Sequence, residues 1–115
     1  MPDHLREVNI KEDMPTASDA IKRVTFNVQR SKALGYTALK IIHGYGSTGK
    51  GGKIRTETRR YLADLKARRV IKDFIPGEEF SIFNEATRNA FTACGELRRD
   101  SDLERSNNGI TIVVL

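Results

Sequence analysis

From His43 to Arg55 the chain reads His-Gly-Tyr-Gly-Ser-Thr-Gly-Lys-Gly-Gly-Lys-Ile-Arg, with five glycines among the nine residues Gly44 to Gly52. Glycines at this density leave backbone N–H groups open to close approach by an anionic oxygen. Lys50, Lys53 and Arg55 add positive charge, Ser47 and Thr48 add hydroxyl donors, and Tyr45 offers a ring for stacking on a base or sugar. Together with Gly44 and Gly46 these residues form a set suited to phosphate oxygens. A turn that merely joins two elements needs only two or three glycines, so the surplus argues for a ligand. The plainer alternative is a glycine-rich connection with solvated lysines. His43 is open to both uses, as a functional group at the loop entrance or as a packed histidine whose nitrogens are satisfied.

Residues 44 to 50 also spell G-x-x-x-x-G-K, the phosphate loop of mononucleotide-binding proteins. Gly51 stands where that motif needs Ser or Thr to hold Mg²⁺, and Val70-Ile71-Lys72-Asp73 is a poor match to the apolar strand and aspartate that complete the metal site. ATP or GTP binding is therefore the lesser expectation, and phosphate of a nucleic acid the greater.

The elements that must position this loop read as an alternation. Glu7 to Lys11 alternates polar and apolar as a strand does, and Met14-Pro15-Thr16 breaks it. Thr16 can cap a helix, with Asp19 three residues on, and Ala17, Ile21, Val24 and Val28 share one helical face until Gly35 stops it. Tyr36 to Ile42 predicts a strand buried on both faces. After the loop, Ile54, Tyr61, Leu62 and Leu65 mark a helical face over residues 53–69 that Thr58 can join without penalty, with Arg55, Arg59, Lys66 and Arg69 off it. Val70 to Ile75 predicts a third strand closed by Pro76-Gly77, and Gly109 to Leu115 a fourth for the sheet interior. Between them, Phe83, Ala86, Ala90, Phe91 and Cys94 suggest one more helix, followed by a charged solvent loop at 96–105. The expected fold is α/β: a small two-layer sandwich with a four-stranded mixed sheet, order β-α-β-α-β-(inserted α)-β, mainly parallel within, and helices packed on it. Ligands in such sheets gather at the carboxyl ends of strands, where His43 and the glycine loop emerge.

The totals agree with one globular domain over residues 1–115, with 1–6 a flexible N-terminus and 77–107 an insertion before the last strand. Of 115 residues, 38% are hydrophobic and 30% charged, which is enough apolar material for one core and excludes a disordered composition. The net charge of +5 is concentrated: residues 40–72 hold ten Lys and Arg against Glu57 and Asp64. The lone Cys94 has no partner for a disulfide or a tetrahedral metal site, residues 1–10 lack the apolar stretch of a signal peptide, and no membrane-spanning run occurs, so a cytoplasmic setting without membrane contact is expected.

Leu39-Lys40-Ile41-Ile42-His43-Gly44-Tyr45-Gly46-Ser47, followed by Gly49-Lys50-Gly51 and the Ile54-Arg55 helix start, resembles the second signature of the Smr family, the small MutS-related domains. Gly109 to Leu115 resembles the family's closing strand, and the resemblance runs from Val8 to Leu115 apart from about 77–107. It implies a compact sheet-and-helix sandwich that binds DNA or RNA and in many members cuts it. The family's first signature, Leu-Asp-Leu-His-Gly, falls on Val8-Asn9-Ile10-Lys11-Glu12, so Asn9 and Lys11 replace both groups implied in catalysis. Asparagine neither takes a proton nor binds metal as a carboxylate does, and an exposed lysine stays protonated at neutral pH.

The expected function is thus a phosphate-directed nucleic-acid-binding module using His43, Gly44, Tyr45, Gly46, Ser47, Thr48, Lys50, Lys53, Arg55 and Arg59, with Lys11 reinforcing the grip if strand one ends beside the loop. The alternative is an endonuclease in which His43 works with Glu12 or Asp13, and with a divalent metal. Asp3-His4 lies too far before the strand to replace the missing pair. The inserted helix, with Arg88, Arg98 and Arg99 exposed, either adds a contact or caps the sheet, and a third reading is a protein-interaction domain that uses the inserted face.

Overall fold

The computed structural model describes residues 5–45 and 50–115. The elements in chain order are β1 (Leu5–Asn9), α1 (Ala17–Ala33), β2 (Ala38–Ile42), α2 (Lys50–Ala67), β3 (Asp73–Pro76), a 3₁₀ turn (Gly77–Glu79), α3 (Glu85–Ala93), a second 3₁₀ segment (Gly95–Arg99) and β4 (Ile110–Val114). Thr16 caps α1 as expected, its hydroxyl accepting from the Asp19 N–H at 3.1 Å. Asn84 does the same for α3, accepting from the Thr87 N–H at 2.9 Å.

The sheet has the order β1-β2-β4-β3. Only β1 and β2 pair in parallel; β4 runs antiparallel to both of its neighbours, β2 and β3. This corrects the expectation of a mainly parallel interior. The three strands that precede β4 do point the same way, but β4, buried at all five positions, is the most apolar strand and takes the place between β2 and β3, leaving β3 at the edge.

Alternation along the strands splits the core in two. Val8, Leu39, Ile41, Phe74 and Val113 pack against Val24 and Val28 of α1 and Ile54, Leu62 and Leu65 of α2. The sheet and this helix pair make the two layers. On the opposite face Ala38, Ile42, Ile75, Ile110, Ile112 and Val114 meet Phe80, Ala90, Phe91, Cys94 and Leu97 from the 77–107 segment. Within that segment Phe83, expected in the helix core, is instead 84% exposed.

Two strand starts were misplaced for one reason. After α1, the Gly35 N–H bonds to the Lys32 carbonyl and the Tyr36 N–H to Ser31; after α2, Arg69 bonds to Lys66 and Val70 to Leu65. Each is a Schellman closure, which draws Tyr36 and Val70 into the helix ending and starts the strands at Ala38 and Asp73. The second uses Arg69 in a left-handed conformation (φ 62°) where glycine is usual. Strand β1 begins at Leu5, within the stretch read as flexible, because the Leu5 N–H is held by the Glu96 carboxylate at 3.0 Å. The α1 core face is Ala20, Val24, Val28 and Ser31, one step from the face expected.

The tail at 96–105, expected to be a solvent loop, is pinned to the sheet. Lys40, in the middle of β2 and 4% exposed, places its ammonium 3.0 Å from the Asp100 carboxylate, against Asp102, and 3.7 Å from Glu7 on the neighbouring strand. Burial alone would lower the Lys40 pKa, but the hydrogen bonds to Asp102 and Asp100 and their charges outweigh it and raise the value. Lys40 is therefore a charged pin between β2 and the 96–105 segment and lies outside the surface charge of the 40–72 stretch.

Candidate functional site

Because β1, β2 and β3 share a direction, the β1–α1 turn, the start of the glycine loop and the turn at Gly77 emerge at one end of the sheet, where β4 begins. The Gly109 carbonyl accepts from the N–H groups of both His43 and Gly44, each at 3.0 Å. Gly44 has φ +82°, and a Cβ there would stand 2.9 Å from Lys11 Cδ. Glycine is required twice over at this position, by its backbone angle and by the lysine stem laid across it.

His43 is 0% exposed. Its Nδ1 is 3.0 Å from the Gly44 carbonyl and its Nε2 is 2.8 Å from the Thr111 hydroxyl. A carbonyl can only accept, so Nδ1 carries the proton; Nε2 then accepts from the Thr111 hydroxyl, whose oxygen accepts from Arg59 Nε at 3.1 Å. Arg59 in turn donates both terminal nitrogens to Glu78, at 2.8 and 2.7 Å, and reaches the Asn108 and Ile110 carbonyls. The chain Glu78–Arg59–Thr111–His43–Gly44 ties the 3₁₀ turn, α2, β4 and β2 to the loop entrance. His43 and Arg59, both expected to meet phosphate directly, are committed to this internal network.

Burial pushes the His43 ring down to about 4, helped by the Arg59 and Arg55 charges and opposed by the Gly44 carbonyl. The unfolded chain takes up this proton below the ordinary 6.5 and the folded one only near 4, so stability is lost as pH falls through that window. The expected loss attributable to His43 is about 3 kcal/mol at most, at roughly 1.4 kcal/mol per pH unit of depression. Urea denaturation between about pH 7 and pH 4.5 checks it: the stability advantage of the wild type over His43→Gln shrinks with acidification. A constant advantage would contradict the buried neutral ring.

Strand β1 ends beside the loop, as the Lys11 expectation required: Asn9 pairs with Ile42, and the Ile10 N–H bonds to the Ile42 carbonyl at 3.0 Å. Asn9 accepts from the Lys11 N–H at 2.9 Å and so shapes the turn. Arg23 holds that turn from below through the Ile10 and Glu12 carbonyls. Glu12 and Asp13 are exposed residues of the same turn. Among the described residues, no three His, Cys, Asp or Glu side chains group as metal ligands would.

Helix α2 starts at Lys50, three residues earlier than expected, so Gly51 and Gly52 belong to its first turn, which carries no acidic residue. Of the basic residues in the 40–72 stretch, Lys40, Arg59, Arg60, Lys66 and Arg68 pair with Asp100 and Asp102, Glu78, Glu57, Asp73 and Asp64 respectively. Among the described residues, no carboxylate stands within ion-pair distance of Lys53, Arg55 or Lys11, nor of Arg69 and Lys72 beyond the far end of α2. Tyr45, which follows Gly44 in the chain, is 59% exposed. Gly46, Ser47 and Thr48 lie outside the described residues, as do Asp3 and His4, and of Lys50 the backbone alone is described.

No family model matches the chain, and no curated protein matches it. Among solved structures, the Smr domain of Thermus thermophilus MutS2 superposes with a TM-score of 0.58 at 20% sequence identity, over 96% of this chain and 96% of that one. The fold is Smr-like. In the Smr-like domain the chain leaves central strand β2 at its carboxyl end through His43 and Gly44. None of its helices, among the described residues, is long and apolar enough to cross a membrane.

Proposed function

We propose that the Smr-like domain is a nucleic-acid-binding module that grips phosphates where β2 gives way to α2. The observation that carries this reading is the distribution of unpaired charge. The basic residues along the body of α2 are neutralised by neighbouring carboxylates, whereas Lys53, Arg55 and Lys11 have none within ion-pair distance among the described residues. Lys53, in the first turn of α2, sits at the positive end of the helix dipole, which opposes folding unless an anion is supplied there, and Arg55 follows in the next turn. A phosphate of DNA or RNA supplies it and accepts from the first-turn amides as well.

In this reading Lys11, Lys53 and Arg55 contact phosphate, together with Lys50, Ser47 and Thr48 of the loop, and His43 and Arg59 are positioning residues that fix the Gly44 entrance. Lys11 takes the place of a group that the family resemblance implies in catalysis and adds grip. The setting is the cytoplasm, and the interaction is with the polymer backbone.

Titrating isotope-labelled protein with an oligonucleotide and following amide chemical shifts locates the contact. The expected result is that the largest shifts fall on Lys11, Gly44, Tyr45, Lys53 and Arg55. Shifts confined to α3 and the 72–76 edge would reject this site.

A further inference from the structure

We propose that the same site takes an unpaired nucleobase on Tyr45, so that the domain selects single-stranded or gapped nucleic acid over continuous duplex; this rests on the phosphate reading above. The Cδ1–Cε1 edge of the Tyr45 ring lies beside Gly109, in the space a side chain there would need. A methyl group at Gly109 would stand 3.1 Å from Tyr45 Cε1 and 3.3 Å from Cδ1. One edge of the ring is thus seated against Gly109, and the residue remains 59% exposed.

The seat itself is fixed from three directions. The Gly109 carbonyl holds the His43 and Gly44 N–H groups. Its own N–H donates to the Asn107 side chain at 2.9 Å, and Asn107 donates to Asp102 at 2.8 Å. Asp102 is also a partner of buried Lys40, so the seat is anchored in the core. An exposed aromatic on a rigid base loses little conformational freedom when a second ring stacks on it. The Lys11 stem lies across Gly44, next in sequence to Tyr45, so a cation for the backbone stands beside a ring for the base.

Geometry then sets the substrate class. In a continuous duplex both faces of every base are covered by neighbours, and Tyr45 has nothing to stack on. A single strand, a gap or a strand end presents a free face. Deoxythymidine and uridine offer the same face, so stacking does not separate DNA from RNA.

The test compares a labelled thymidine strand of about twelve nucleotides with a strand of equal length built of abasic sites, which keeps every phosphate and removes every base. Fluorescence anisotropy at low salt is expected to show the base-bearing strand bound roughly tenfold tighter by the wild type, or about 1.4 kcal/mol. Tyr45→Phe keeps that ratio, Tyr45→Ala brings it to unity, and a uridine strand reproduces the thymidine result. Tyr45 is exposed, so thermal melting of Tyr45→Ala should match the wild type and confirm that the fold is intact. Equal wild-type binding to the two strands, or a preference that survives Tyr45→Ala, overturns the base site and leaves phosphate binding standing. No binding to either strand overturns both.

Discussion

Replacing Lys40 by Met is expected to destabilise the domain by about 3–5 kcal/mol, because it leaves carboxylates buried without their cation. The Asp100 side chain is 8% exposed and lies 3.0 Å from the ammonium, with Asp102 against the same group. Burial would raise the Asp102 pKa, but its hydrogen bonds from Asn107 and Lys40 prevail and lower it. The cluster's stability is therefore present above the ordinary carboxylate value of 3.8 and is lost as pH falls through the lower folded value. At the other end, it is lost as pH rises past 10.5 through the raised Lys40 value. Chemical denaturation of Lys40→Met against a Lys40→Met/Asp100→Leu/Asp102→Asn variant checks the cause: the combined change recovers most of the loss. If the single substitution were tolerated, the 96–105 segment would not be held by this cluster. Because Asp102 also holds Asn107, the single variant should disturb the Gly109 seat as well.

Reversing Lys53 and Arg55 together to Glu is expected to lower affinity for single-stranded nucleic acid by about a hundredfold or more at low salt, since like charges set against a phosphate cost several kcal/mol. Reversing Arg60 and Arg68 instead gives the same change in net charge at exposed positions already paired with Glu57 and Asp64. That control is expected to cost far less. A filter-binding or anisotropy titration separates the two variants. Equal losses would mean that overall charge, and not the loop end of α2, governs binding.

Much of this was legible before any coordinates. The Thr16 cap, the buried β2 and β4, and the Ile54, Leu62 and Leu65 positions of the α2 face follow from capping and periodicity, which are local. The loop position was legible because a glycine run after an apolar strand leaves few other structures. What failed was non-local. Lys40 reads as one more basic residue until the fold brings Asp100 and Asp102 onto it from sixty positions away. Arg59 reads as a surface contact until Glu78 and Thr111 claim it. The parallel interior failed because nothing in the order of strands reveals that β4 will enter between β2 and β3. The late start of β3 was hidden because its helix closes on Arg69 and not on glycine, so the usual stop signal was absent.

The measurement that tests the central claim most directly is the salt dependence of binding in the wild type and in a variant with Lys11, Lys53 and Arg55 changed to Ala or Gln. Each phosphate contact contributes a slope of about −0.7 on single strands or about −0.9 on duplex DNA in log affinity against log salt. The three residues should therefore add about two units or more to the wild-type slope, and the variant should lose them. A wild-type affinity that does not change with salt, or a variant that keeps the full slope, would contradict phosphate capture at this loop.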